Sequence, residues 1–170
     1  IFARQSPRRD YIVANLLMNL YMLEAAYEEG VKKVLWLSSA TAYPASPLAM
    51  KEEAMFNGDP ADSYFLLGWT SRYLETMYRM YATKLNPPMT AIVLRPTAIY
   101  GEYADFDLAS AHVLCALIRK AVERHNPLEV WGAAEVYRDF IYIGDVIDAC
   151  LLAIEKIEGF STLNIGLGKT

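Results

Sequence analysis

The sequence predicts an α/β fold, a mostly parallel sheet with helices on both faces. Two short runs, Val34 to Leu37 and Thr90 to Leu94, are continuously apolar with no polar alternation, as strands buried on both faces are. Around them lie longer stretches with apolar residues at helical spacing. The two kinds of segment alternate along the chain, which is the order of βα units.

Residues 10 to 29 read as a helix. Ile12, Leu16, Leu20, Leu23 and Tyr27 form its stripe, Val13, Leu17 and Met18 widen it, and Gly30 closes it. Val34 to Leu37 follows as a strand between Lys32-Lys33 and Ser38-Ser39. Residues 44 to 62 carry three prolines, a glycine and several acids, and read as a long surface loop of functional kind. A helix from Ser63 to Leu85 is stopped by Asn86-Pro87-Pro88. The strand Thr90 to Leu94 ends at Arg95-Pro96 and gives way to a loop. Residues 107 to 124 predict a third helix, Leu128 to Trp131 and Tyr137 to Ile143 short strands. Asp145 caps a fourth helix that Gly159 ends, and Leu163 to Ile165 is the last strand.

The chain has 170 residues, enough for one domain or slightly more. With 54% hydrophobic and 21% charged residues it can build a packed core. A net charge of −4 argues against a nucleic-acid surface, which needs a basic face. Cys115 and Cys150 form no disulfide framework and suit a reducing, cytoplasmic setting. The two histidines do not stand at metal-ligand spacing, so no metal is expected. No apolar run approaches the roughly 20 residues that span a bilayer, and no signal-peptide core precedes residue 10. In parallel sheets ligands sit at the carboxyl ends of strands, here Ser38–Tyr43, Arg95–Tyr103 and Gly166–Thr170.

Those strand ends carry recognisable stretches. They are Ser38-Ser39-Ala40-Thr41-Ala42-Tyr43-Pro44 and Leu94-Arg95-Pro96-Thr97-Ala98-Ile99-Tyr100-Gly101. Further on come Ser110 to Lys120, Val130-Trp131-Gly132, Arg138 to Asp145, and Asn164-Ile165-Gly166-Leu167-Gly168. In this order and spacing the chain resembles the extended short-chain dehydrogenases of the NAD-dependent epimerase/dehydratase family, which act on nucleotide sugars. Within that family it looks most like the GDP-fucose synthase-type epimerase-reductases. The resemblance implies an incomplete Rossmann-like sheet. Residues 1–96 form its first portion, 97–136 part of the substrate lobe, and 137–170 the return to the sheet.

Family members begin with a strand and a GxxGxxG turn that brings backbone to the cofactor pyrophosphate. No glycine cluster precedes Gly30, and the first residue is Ile1. The chain is therefore expected to be the middle of such an enzyme, with both ends absent. Gly166 to Thr170 superficially suggests a Walker loop, but Leu163 stands where its first glycine belongs.

The resemblance also implies a chemistry. A tyrosine acts as acid/base, a lysine four residues on lowers its pKa, and a Ser/Thr holds the substrate oxygen. Ser39 fits the last role, although a serine pair is also an ordinary strand-end turn. The dyad does not fit, and two registers are open. One keeps Tyr64 as the tyrosine and puts Gly68 at the lysine position; the other places Leu67 and Ser71 there and matches Glu75 and Tyr81. Both lose the lysine. A unit charge about 4 Å away is worth roughly 4 kcal/mol near a protein surface, or about three powers of ten in rate. Impaired activity is the expectation.

Fucose-synthase-like members also move protons with a Cys and a His. Thr41 stands at the Cys position and His112 at the His position; His112 equally suits a plain surface or core role. Ala98, Cys115 and Gly144 depart from the family pattern. Arg138 and Trp131 match positions that hold the nucleotide diphosphate and base, with Lys120 assisting and Pro96 on the cofactor side. Trp131 also suits core, Tyr64 packing. An arginine inside a short apolar strand, as Arg138 reads, needs a partner. The helix over 63–85 reads as core plus a dimer face. Implied are NAD or NADP, a nucleotide-sugar substrate with a GDP-sugar favoured, and a homodimer or higher oligomer, with no nucleic acid and no membrane. The alternative reading is a non-catalytic fragment or pseudoenzyme that dimerises or binds a nucleotide sugar.

Overall fold

The computed structural model describes residues 9–46, 48–130 and 137–168. In chain order its elements are α1 (Arg9–Glu28), β1 (Lys33–Leu37), α2 (Phe65–Thr83), β2 (Thr90–Pro96), β3 (Ala98–Tyr100), α3 (Val113–Val122), β4 (Phe140–Tyr142), α4 (Ile143–Lys156) and β5 (Phe160–Ile165). β1, β2 and β5 form a parallel sheet in the order β1-β2-β5, with Leu37 opposite Leu94 and Leu94 opposite Leu163. β3 and β4 make a separate parallel pair, Ile99 opposite Ile141.

The central strand explains its own lack of alternation. Ala91 and Val93 face a core built with Leu23 of α1 and Tyr78, Tyr81 and Ala82 of α2. Ile92 and Leu94 face the other way, onto Ala153 and Cys150 of α4. All four strand residues are fully buried, so no solvent face exists for a polar residue to mark. Trp36 of β1 stacks on Tyr78 at 5.3 Å between ring centroids, which locks α2 against the sheet. On the same side the Tyr81 hydroxyl donates to the Glu24 carboxylate, joining α2 to α1. Burial and that carboxylate push the Tyr81 phenol up to about 12.

In α1 the residues Ile12, Leu16, Leu20, Leu23 and Tyr27 face inward, as their spacing predicts. Val13, Leu17 and Met18 do not widen that stripe but stand exposed. Gly30 (φ +71°) and Gly159 (φ +74°) adopt the left-handed backbone that ends α1 and α4.

Several boundaries differ from expectation. The third helix begins at Val113, not residue 107. Asp105 and Asp107 draw the preceding backbone into turns, accepting from the N–H groups of Asp107 and Ala109. Leu128 to Val130 form no strand, Tyr137 to Asp139 precede β4, and Ile143 already opens α4. Tyr142 rather than Asp145 is the N-cap of α4; Asp145 lies in its first turn, where a carboxylate suits the helix dipole. β3 falls where a loop was expected, and β5 starts at Phe160, ahead of Leu163. Residues 44–46 and 48–62 are irregular apart from short 3-10 turns at Glu52–Phe56 and Asp62–Tyr64.

That loop is fastened to α2. Pro60 sits against Gly68 so closely that a Cβ there would lie 2.5 Å from the proline Cβ and 3.0 Å from the Thr41 carbonyl oxygen. Met55 is fully buried against Ala42 and Tyr43. Arg72 Nε donates to the Ala42 carbonyl at 2.9 Å, and its guanidinium lies over the rings of Trp69 and Phe56. Burial holds the Arg72 pKa below its usual value.

Candidate functional site

Beside the carboxyl end of β1 a cleft of about 190 Å³ opens between α1 and α2. Its walls are Asn15 and Asn19 from α1, Trp36, Leu37, Ser38 and Ser39 from the strand end, and Leu67, Thr70, Ser71 and Leu74 from α2. None of these side chains is ionisable near neutral pH. Two residues beyond the end of β1, Ser39 caps a 3-10 turn over Ala40–Ala42. Ser39 Oγ accepts from the Thr41 N–H at 3.2 Å and from the Thr41 hydroxyl at 2.9 Å, which leaves its own proton to donate. The cleft can therefore offer a neutral hydrogen-bond donor to a carbonyl oxygen.

Behind the cleft runs a buried polar chain. Ser38 Oγ donates to Glu75 Oε1 at 2.6 Å. Arg95, in β2, grips both oxygens of Glu75, with Nε to Oε1 at 3.0 Å and Nη2 to Oε2 at 2.6 Å. Arg95 Nη1 donates to the Tyr43 hydroxyl at 2.7 Å and to the Glu52 carbonyl at 3.0 Å. The Tyr43 hydroxyl donates to Asn164 Oδ1 at 2.6 Å, and the Asn164 N–H donates to the Glu52 carboxylate at 2.8 Å. The Glu75 and Arg95 side chains are each 3% exposed. Burial opposes the Arg95 charge, yet Glu75 and Tyr43 outweigh it and raise its pKa. Burial likewise raises the Tyr43 pKa against the pull of Arg95. The Asn164 N–H lowers that of Glu52. The chain thus ties β1, β2, β5, α2 and the loop together at the sheet's carboxyl end.

A second fastening lies at the end of β5. Asp139, just before β4, accepts from the N–H groups of Leu167 at 3.1 Å and Gly168 at 2.9 Å. The turn Gly166-Leu167-Gly168 wraps a carboxylate of the chain itself. A Cβ on Gly166 would meet that carboxylate at 2.5 Å.

The expected site residues separate in space. Ser39 and Thr41 are bonded to one another, and Ser39 faces the cleft. Pro96 is the buried last residue of β2, opposite Ile165. Tyr64 ends the 3-10 turn before α2, is exposed, and does not line the cleft. Leu67 and Ser71 do line it. His112 is the exposed N-cap of α3, outside the cleft walls. Lys120 Nζ reaches the Glu129 carbonyl at 2.8 Å. Arg138 is exposed and precedes β4, so it is not the arginine held inside an apolar strand. Trp131 lies outside the described residues.

A family model described as NAD dependent epimerase/dehydratase family matches residues 1–166. The chain belongs to this epimerase/dehydratase family. Its relatives include a putative GDP-L-fucose synthase 2 of Arabidopsis thaliana, 30% identical over 99% of this chain and 52% of the relative. A GDP-L-fucose synthase of Sinorhizobium fredii is 31% identical over 99% of this chain and 54% of its own length. Among solved structures, MlghC, a GDP-mannoheptose C4 reductase from Campylobacter jejuni with NADP bound, superposes with a TM-score of 0.84. It is 24% identical, covering 98% of this chain and 61% of that one. A GDP-L-fucose synthetase from Naegleria fowleri bound to NADP gives 0.74 at 23% identity, over 91% of this chain and 52% of that one. The chain spans about half the length of the curated relatives it matches.

For this epimerase/dehydratase chain the cleft offers neutral amides and hydroxyls beside Trp36, and no charged group. The N–H groups of Leu167 and Gly168, in the glycine-bounded turn after β5, are taken by Asp139. Sequence reasoning missed the Glu75–Arg95 pair. Its signal was present: Arg95 interrupts an apolar strand and Glu75 interrupts the inner face of α2, and buried charges at such places require each other.

Proposed function

We propose that this chain is the central part of a nucleotide-sugar epimerase/reductase in which proton transfer at the cleft is severely reduced. The carrying observation is that Leu67 and Ser71 wall the cleft beside Ser39. This favours the register in which those two residues replace the family's tyrosine and lysine, over the one built on Tyr64. In this reading Ser39 donates to the keto oxygen of a GDP-linked 4-keto sugar and Thr41 fixes the direction of that hydroxyl. Arg138, Lys120 and Trp131 serve the nucleotide diphosphate, and His112 the sugar. Pro96 would lie on the side of a bound NAD or NADP, which would supply the hydride. No residue of the cleft wall can lend or take a proton near pH 7. Residues 97–136 act as part of the substrate lobe.

The chain pairs with a second copy through α1 and α2, whose outer faces expose Leu17, Met18, Tyr21 and Met22 and Phe65, Leu66, Trp69 and Tyr73. Among the described residues no helix is long and apolar enough to cross a membrane. A cytoplasmic setting is part of this reading.

The test mixes the chain with GDP-4-keto-6-deoxymannose and NADPH, following binding by calorimetry and turnover by NADPH absorbance. Binding with turnover about a thousand-fold below an ordinary reductase is expected. Turnover at an ordinary rate of about 10 per second would overturn the reading.

A further inference from the structure

We propose that Glu75 is a positioning residue of the cleft: charge-balanced by Arg95, it holds the Ser38 hydroxyl and so aims Ser39 at the ligand. The inference rests on the reading of this cleft as the site for the keto sugar. Ser38 is fixed twice, its N–H on the Leu94 carbonyl at 2.8 Å and its hydroxyl on Glu75 at 2.6 Å. The next residue, Ser39, has extended backbone (φ −148°, ψ 143°). Successive side chains diverge in such backbone, so anchoring one sets the direction of the other.

The energetics favour a positioning role over simple adhesion. Burying Glu75 and Arg95 carries a desolvation cost that two well-packed apolar residues would not incur, and such replacements are often neutral or stabilising. An apolar pair would hold α2 on the sheet equally well. It could not accept the Ser38 proton. Both carboxylate oxygens of Glu75 are engaged, so the hydroxyl meets an acceptor that cannot rotate away. Through Tyr43 and Asn164 the same guanidinium holds the end of β5 and the loop in register with the cleft.

The experiment measures the affinity of the chain and its variants for GDP-4-keto-6-deoxymannose and, separately, for GDP alone. Ser38→Ala is expected to weaken the keto sugar nucleotide about 10-fold, the effect of one lost hydrogen bond, and to leave GDP within about twofold. Ser38→Thr is expected to restore the affinity. Glu75→Gln is expected to act like Ser38→Ala; where it fails to fold, the Ser38 variants decide. Equal losses for the two ligands, or unchanged binding by Ser38→Ala, overturn the inference while the reading of the cleft stands. A native chain that binds GDP but gains nothing from the keto sugar overturns that reading and the inference with it.

Discussion

Replacing Arg95 by Met tests the buried chain at its hub. The substitution keeps most of the side-chain volume but removes four hydrogen bonds, two to Glu75 and one each to Tyr43 and the Glu52 carbonyl. It leaves a carboxylate that is 3% exposed with only the Ser38 hydroxyl to satisfy it. Breaking such a pair from one side costs about 3–5 kcal/mol, because the remaining charge stays buried. For a chain of this size that lowers the melting temperature by roughly 6–20 °C. Arg95→Met/Glu75→Gln, with no buried charge left, is expected to recover part of the loss. Urea titrations of the native chain, both single variants and the double variant at pH 7 form the assay. A loss below about 1 kcal/mol, or single losses that simply add, would refute the account of a coupled buried pair.

The Glu52 pKa is held below the ordinary 4.5 chiefly by the Asn164 N–H, so its contribution is present above that value and lost as pH falls through the folded pKa. Glu52→Gln is expected to flatten the acid limb of the stability profile, read by melting curves across pH; an unchanged limb would count against the edge contact. Gly68→Ala gains about 1 kcal/mol of helix propensity but drives a Cβ to 2.5 Å from the buried Pro60. Overpacking of about 1–3 kcal/mol makes the net effect destabilising, and a raised urea midpoint would contradict it. Met18→Glu with Met22→Glu, on the exposed face of α1, is expected to turn a dimer into monomers in sedimentation. A native chain that sediments as a monomer would remove the basis for that pairing.

Most of the sheet was legible in the sequence because burial on both faces erases alternation, and Ile92 and Val93 show this directly by pointing to opposite cores. Helix ends were legible where one residue decides them, as Gly30 does. Apolar periodicity starts the third helix too early because it does not register Asp105 and Asp107, which compete for backbone N–H groups. β3 was missed because a strand of three residues has no period to read. At the site, Ser39 could be placed from its position after a strand. The choice between Tyr64 and Leu67 could not, since it depends on which face of α2 meets Ser39, and long-range packing such as Gly68 on Pro60 and Tyr78 on Trp36 fixes that rotation.

The turn that follows β5 carries its own counter-ion. Loops that wait for a phosphate stay unsettled until the phosphate arrives. Here the carboxylate of Asp139 travels on the same polypeptide, so the Leu167 and Gly168 N–H groups have their acceptor without any bound anion. The turn's assembly is set by an intramolecular concentration rather than by the supply of any metabolite.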